Sequence, residues 1–186
     1  MAGHNKWNNI KNRKGAQDKR RSKAFFEVGK MIRTAVRDSQ NGDPDTNPAL
    51  RLALEKARSV NMSKDTVERA INRALGKSET GESVQEVPYE GYGPHGVGFL
   101  VIAVTDNVQR TAGNIRFAFS RNGGSLGGPG SVMYLFARNG ATFVPTMTLD
   151  LSPEQGKEVQ SLYDALAEDE DVEEVYLNGR WEGMEA

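Results

Sequence analysis

Between residues 25 and 75 apolar residues recur every three or four positions. Beyond residue 90 they fall in continuous or alternating runs. The first spacing builds helices and the second builds strands, so the chain reads as a helical part followed by a mixed part. The change happens across residues 77–90, a polar stretch rich in Glu, Ser and Gly that reads as a linker. Two domains are expected within the 186 residues, 1–77 and 78–186, and a chain of this length can bury a sizeable core.

Three helices are expected in the first part. Phe25, Val28, Ile32 and Ala35/Val36 make one stripe over residues 22–39, and Asn41-Gly42-Asp43-Pro44 breaks it. Asn47-Pro48 opens a second helix as a cap residue followed by proline at the first helical position; its apolar face is Leu50, Ala53/Leu54, Ala57 and Val60. Ser63 caps a third, with Val67, Ala70/Ile71 and Ala74/Leu75 inward and Gly76 placed to end it. In the second part, strands are expected at Val97–Val104, Ser131–Ala137, within Ala141–Leu151 and at Val172–Leu177, with helices at Gln109–Arg121 and Pro153–Glu168. The fold class is therefore α+β: a three-helix bundle with a basic arm, followed by a ferredoxin-like β-α-β-β-α-β domain.

Charge follows the same division. The net charge is −1, yet residues 1–77 hold 18 Lys+Arg against 8 Asp+Glu, and residues 78–186 hold 6 against 17. Within residues 1–37 the count is 11 against 2. Residues 2–21 read as an arm too polar to build a core, with Trp7 and Ile10 its only large apolar residues. Cations concentrated on one module are the electrostatic footprint of phosphate binding. The candidate nucleic-acid contacts are Lys6, Lys11, Arg13, Lys14, Lys19, Arg20 and Arg21 on the arm, with Trp7 able to stack on a base. Lys23, Lys30, Arg33 and Arg37 continue the series on the first helix. A solvated charge run is the competing reading.

Catalytic chemistry has little to work with. There is no cysteine, so disulfides, thiolate metal sites and cysteine nucleophiles are excluded. His4 and His95 share no metal-ligand spacing. The Gly-rich stretch 122–130 follows a helix and precedes a strand, the reverse of a phosphate loop, and the loop's lysine is missing. Glu168-Asp169-Glu170-Asp171 reads as a solvated acidic loop. No enzyme, no metal and no cofactor are expected. No apolar run reaches membrane-spanning length, and a cytoplasmic protein without a membrane partner is expected.

Several short motifs are specific enough to carry a resemblance. Met1-Ala2-Gly3-His4-Asn5-Lys6-Trp7, Asn9-Ile10-Lys11, Gly42-Asp43-Pro44, Asn61-Met62-Ser63-Lys64-Asp65 and Tyr89-Glu90-Gly91-Tyr92-Gly93-Pro94 are among them. Arg13-Lys14, Asn47-Pro48, Glu68-Arg69-Ala70-Ile71, Thr105-Asp106-Asn107 with Arg110-Thr111, Gly123-Gly124-Ser125-Leu126-Gly127 and Gly130-Ser131-Val132 complete the set. In these the chain resembles the YebC/PmpR family. The resemblance implies a non-catalytic DNA-binding transcriptional regulator, with an RNA- or ribosome-associated translation factor as the alternative. Relatives include a mitochondrial translational activator of cytochrome c oxidase subunit I. It also implies a third small domain, inserted after the strand ending near Arg138, that this chain lacks: Asn139-Gly140-Ala141-Thr142-Phe143 leads directly into Val144.

Overall fold

The computed structural model describes residues 4–77 and 83–184, with side chains from residue 21 onward. The chain divides into two compact units, Met1–Leu75 and Gly76–Ala186.

Unit 1 is three helices: α1 (His4–Ser39), α2 (Pro48–Ser59) and α3 (Lys64–Ala74). Its core joins Val28, Ile32, Ala35 and Val36 of α1 to Leu50, Ala53 and Ala57 of α2 and Ala70 of α3, the stripes expected from spacing. Ser63 caps α3 by accepting from Thr66 N. Gly76 follows with φ 69°, the left-handed turn that ends many helices. Asn47 does more than cap α2. Its side-chain oxygen accepts from Leu50 N at 3.0 Å, while its amide donates to Ala35 O, Asn41 O and Ser39 Oγ. This one buried residue ties the start of α2 to the end of α1. Gly42 lets the connecting loop press on α3, since a Cβ there would stand 2.9 Å from Ile71 Cγ2.

The arm expected over residues 2–21 is helical from His4 onward. Residues 4–39 form one uninterrupted helix of 36 residues, about 54 Å long at about 1.5 Å per residue. Low apolar content hid it. Once a packed segment has nucleated a helix, each added Lys, Arg, Gln or Ala needs only the small propagation term.

Unit 2 is built on a four-stranded antiparallel sheet. Its strands are β1 (Gln85–Tyr92), β2 (Gly98–Thr105), β3 (Ser125–Leu126) and β7 (Val172–Leu177), in the order β3-β1-β2-β7. Helices α4 (Val108–Arg121) and α5 (Pro153–Ala167) pack beside each other and against the sheet. Phe99 and Phe119 meet edge-on at 5.9 Å on that side. On the other side Leu100 and Ile102 join Val132, Leu135 and Phe136. A hairpin of β4 (Phe136–Asn139) and β5 (Thr142–Pro145) lies here, and β6 (Leu149–Asp150) pairs in parallel with β8 (Gly179–Arg180).

The molecule is thus α+β, three helices followed by a sheet-and-helix domain, as expected. The strands that make the sheet are not all those expected. Val97–Val104 and Val172–Leu177 belong to it, within a residue at each end. The alternation at Ser131–Ala137 is a 3-10 turn, Met133–Leu135, running into β4, and the segment Ala141–Leu151 supplies β5 and β6, which also lie outside the four-stranded sheet. The strand that replaces them is β1, read in the sequence as linker and turn. Pro88 disguised it; proline is admitted because β3 pairs only with Gly91 and Tyr92, leaving Pro88 with a neighbour on one side. The order along the chain is consequently β-β-α-β before the hairpin and α-β after it.

Candidate nucleic-acid interface

Helix α1 holds all twelve residues singled out for nucleic-acid contact. Lys6, Trp7, Lys11, Arg13, Lys14, Lys19 and Arg20 lie on its first half, where the side chains fall outside the described residues. From residue 21 the side chains separate into distinct environments. Arg21 is exposed, its guanidinium 5.1 Å from the centre of the Phe25 ring. Arg37 is exposed in the last turn, and Lys23 and Lys30 are half-buried. Arg33 departs from the expected surface role. It is only 6% exposed and folds over Gly29, where an added Cβ would stand 3.0 Å from its Nη1. A cation so enclosed does not present itself to a phosphate.

Unit 1 offers exposed cations that reading one helix overlooked. Lys56 and Arg58 occupy the last turn of α2, and Lys64 opens α3. The only signal for them was the charge total of residues 1–77, because their spacing follows no stripe.

Two motifs of unit 2 are taken up by internal hydrogen bonds. Glu90 is 6% exposed, and its carboxylate accepts from the backbone N–H groups of Gly130, Val132 and Met133, each at 2.7 Å. Burial pushes its carboxyl up, but the three N–H groups together outweigh burial and hold it below the ordinary glutamate value. The Gly-rich stretch therefore wraps an internal carboxylate rather than an external phosphate. Close packing also explains Gly91, where a Cβ would meet Phe119 Cζ and Ser125 O at 2.7 Å.

The Thr105–Thr111 motif closes around a buried acid. Asp171 Oδ2 accepts from Thr111 Oγ1 at 2.6 Å, Arg110 Nη2 at 2.9 Å and Thr105 Oγ1 at 3.2 Å. Asn107 caps α4 by accepting from Arg110 N. The sequence suggests a solvated acidic run through Asp171, but at 3% exposure Asp171 lies inside the fold. His95 Nε2 lies 3.1 Å from Glu158 Oε2 at an open depression bordered by Pro94, Asn122, Gly123 and Ser161. Among the described residues no cluster of His, Asp or Glu could hold a metal ion, and no helix is long and apolar enough to cross a membrane.

Residues 5–77 match the model of the TACO1/YebC protein N-terminal domain, and residues 84–144 match that of the TACO1/YebC second and third domain. A protein of Listeria monocytogenes serotype 4b (strain F2365), named a probable transcriptional regulatory protein, is 45% identical over 180 residues. The chain belongs to the TACO1/YebC family. That alignment takes in 96% of this chain and 73% of the Listeria protein. YrbC of Bacillus subtilis, also named a probable transcriptional regulatory protein, is 43% identical over 94% of this chain and 77% of its own length. A Geobacillus relative of the same name is 50% identical over 81% of this chain and 61% of its own. Among solved structures, the conserved hypothetical protein Aq1575 from Aquifex aeolicus superposes with a TM-score of 0.57 at 28% identity, over 90% of this chain and 92% of that one. Where the YebC resemblance places an inserted domain, this chain has the tight β4–β5 hairpin, Asn139 pairing with Thr142 across Gly140 and Ala141.

Proposed function

We propose that the protein is a non-catalytic, cytoplasmic nucleic-acid-binding regulator that grips phosphates with α1, and that its target is DNA in transcriptional control. The observation that carries this reading is the continuity of α1. The 11-to-2 cation excess of residues 1–37 sits on one long helix instead of a loose tail. A helix holds its charges at fixed intervals, so less order is lost on contact than in a flexible segment. Residues 4–20 hold only Trp7 and Ile10 as large apolar residues, a composition that suits contact with solvent or with a polyanion. The names of the relatives support the transcriptional assignment. Lys6, Lys11, Arg13, Lys14, Lys19, Arg20, Arg21, Lys23, Lys30 and Arg37 are the proposed phosphate contacts, with Trp7 a stacking residue. Arg33 is left out of the contact set because it is buried.

Counterion release makes such binding steeply dependent on salt, each neutralised duplex phosphate adding about 0.9 to the log–log slope. Neutral substitution of Lys11, Arg13, Lys14, Arg20 and Arg21 together flattens that slope by several units. An unchanged slope removes α1 from the interface. Sedimentation of the native protein with ribosomes, insensitive to DNase, would move the target from DNA to the translation apparatus.

A further inference from the structure

Helix α4 carries a second surface of a different character. Its 14 residues include Arg110, Arg116 and Arg121 and no acid, although residues 78–186 as a whole hold 17 acids to 6 cations. Arg110 is committed to Asp171 and Asp106, and Asn114 donates to Asp169 near the same end of the helix. At the other end the helix shows no ion pair among the described residues. Arg116 and Arg121 are exposed there, and between them Phe117 is 65% exposed, whereas Phe119 two positions on is fully buried. The Arg121 guanidinium lies 5.8 Å from the centre of the Phe117 ring. An isolated exposed phenylalanine needs no explanation. An exposed ring with one arginine next to it in sequence and another over it, on a cationic helix of an acidic unit, offers a stacking surface beside two cations.

We propose that the α4 face of Arg116, Phe117 and Arg121 binds an unpaired nucleotide of a single-stranded nucleic acid, its base stacked on Phe117 and its flanking phosphates on the two arginines. Base–aromatic stacking tolerates any base and needs one withdrawn from a duplex. A double helix keeps its bases stacked and satisfies only the arginines. An acidic peptide matches the charge but leaves the ring without a flat partner. This site adds to the nucleic-acid reading of α1 and lies on a different unit, so the two can fail separately.

The test uses the full chain and three fluorescent probes: oligouridine, oligothymidine and a mixed-sequence duplex. Phe117→Ala lowers affinity for both single strands by about tenfold and leaves the duplex unaffected, while Phe117→Trp restores single-strand binding. An equal loss on single strand and duplex, or no loss on either, overturns the proposal. The Lys11/Arg13/Lys14/Arg20/Arg21 substitution separates the readings: it weakens all three probes if α1 is an interface, whatever Phe117 does. If wild-type protein binds no probe, both readings fall. Irradiation with a 4-thiouridine oligonucleotide followed by trypsin should label the peptide Phe117–Arg121. Labelling confined to peptides of α1 contradicts the α4 site. Phe117-dependent binding of polyglutamate, with no binding of oligonucleotides, assigns the face to a protein partner and likewise overturns it.

Discussion

Glu90 shows how a charged residue can serve the fold alone. Three short backbone hydrogen bonds converge on it from residues 40 to 43 positions away, so it pins the 130–133 turn against β1. Glu90→Gln keeps the shape but sets an amide against N–H donors, and the cost expected in urea denaturation at neutral pH is about 1–3 kcal/mol. The pH dependence has a definite sign. The folded-state value lies below the ordinary 4.5, so the contribution is complete above 4.5, shrinks as pH falls towards the folded value and is gone below it. The gap between wild type and Glu90→Gln should therefore close in acid; a gap that stays constant shows that the charge is not what the turn holds. The sequence places Glu90 in a family motif but does not show what it holds, because its partners are backbone groups. Asn47 was half legible. Its capping role is local and was read from Asn47-Pro48, but its three donated bonds depend on where α1 ends. Asp caps as well as Asn, so a cap alone predicts no effect of Asn47→Asp. The structure predicts a loss of about 2–4 kcal/mol, because a carboxylate would face the Ala35 and Asn41 carbonyls. Urea denaturation followed by helical circular dichroism distinguishes the two.

At the level of elements, legibility followed burial. Helices α2, α3, α4 and α5 and strand β7 were read within a residue or two, since each sets an apolar stripe or run against a core. The amino-terminal half of α1 escaped because it has no such stripe, and its helicity rests on propensity and on continuity with the packed half. Strand β1 escaped because three of its first four residues are exposed and Pro88 interrupts it; the buried stretch, Tyr89–Gly91, is shorter than the period it would need to declare itself. The candidate interface was legible as a charge excess and not as a geometry. Spacing placed Arg33 on the same footing as Arg37, and only the packed structure shows one enclosed and the other in solvent.

For the whole molecule, the family match within unit 2 stops at residue 144, but the unit does not. β7 supplies the outer partner of β2, and Leu162 of α5 sits with Phe99 against Gly93. Ending the chain after Val144 removes both. Hydrogen exchange should then find the β1–β2 amides unprotected while those of α2 and α3 keep their protection; intact protection in β1–β2 shows that the hairpin and α4 suffice. The pairing of Ala103 with Val172 also has a meaning in time. A ribosome adds residues at about 5–20 per second, so β2 emerges several seconds before the strand that flanks it. During that interval the apolar run Phe99–Ala103 lacks the strand that flanks it in the finished sheet. An apolar run left uncovered in this way can pair with neighbouring chains on a polysome, and the speed of translation through residues 106–171 sets how long it stays uncovered.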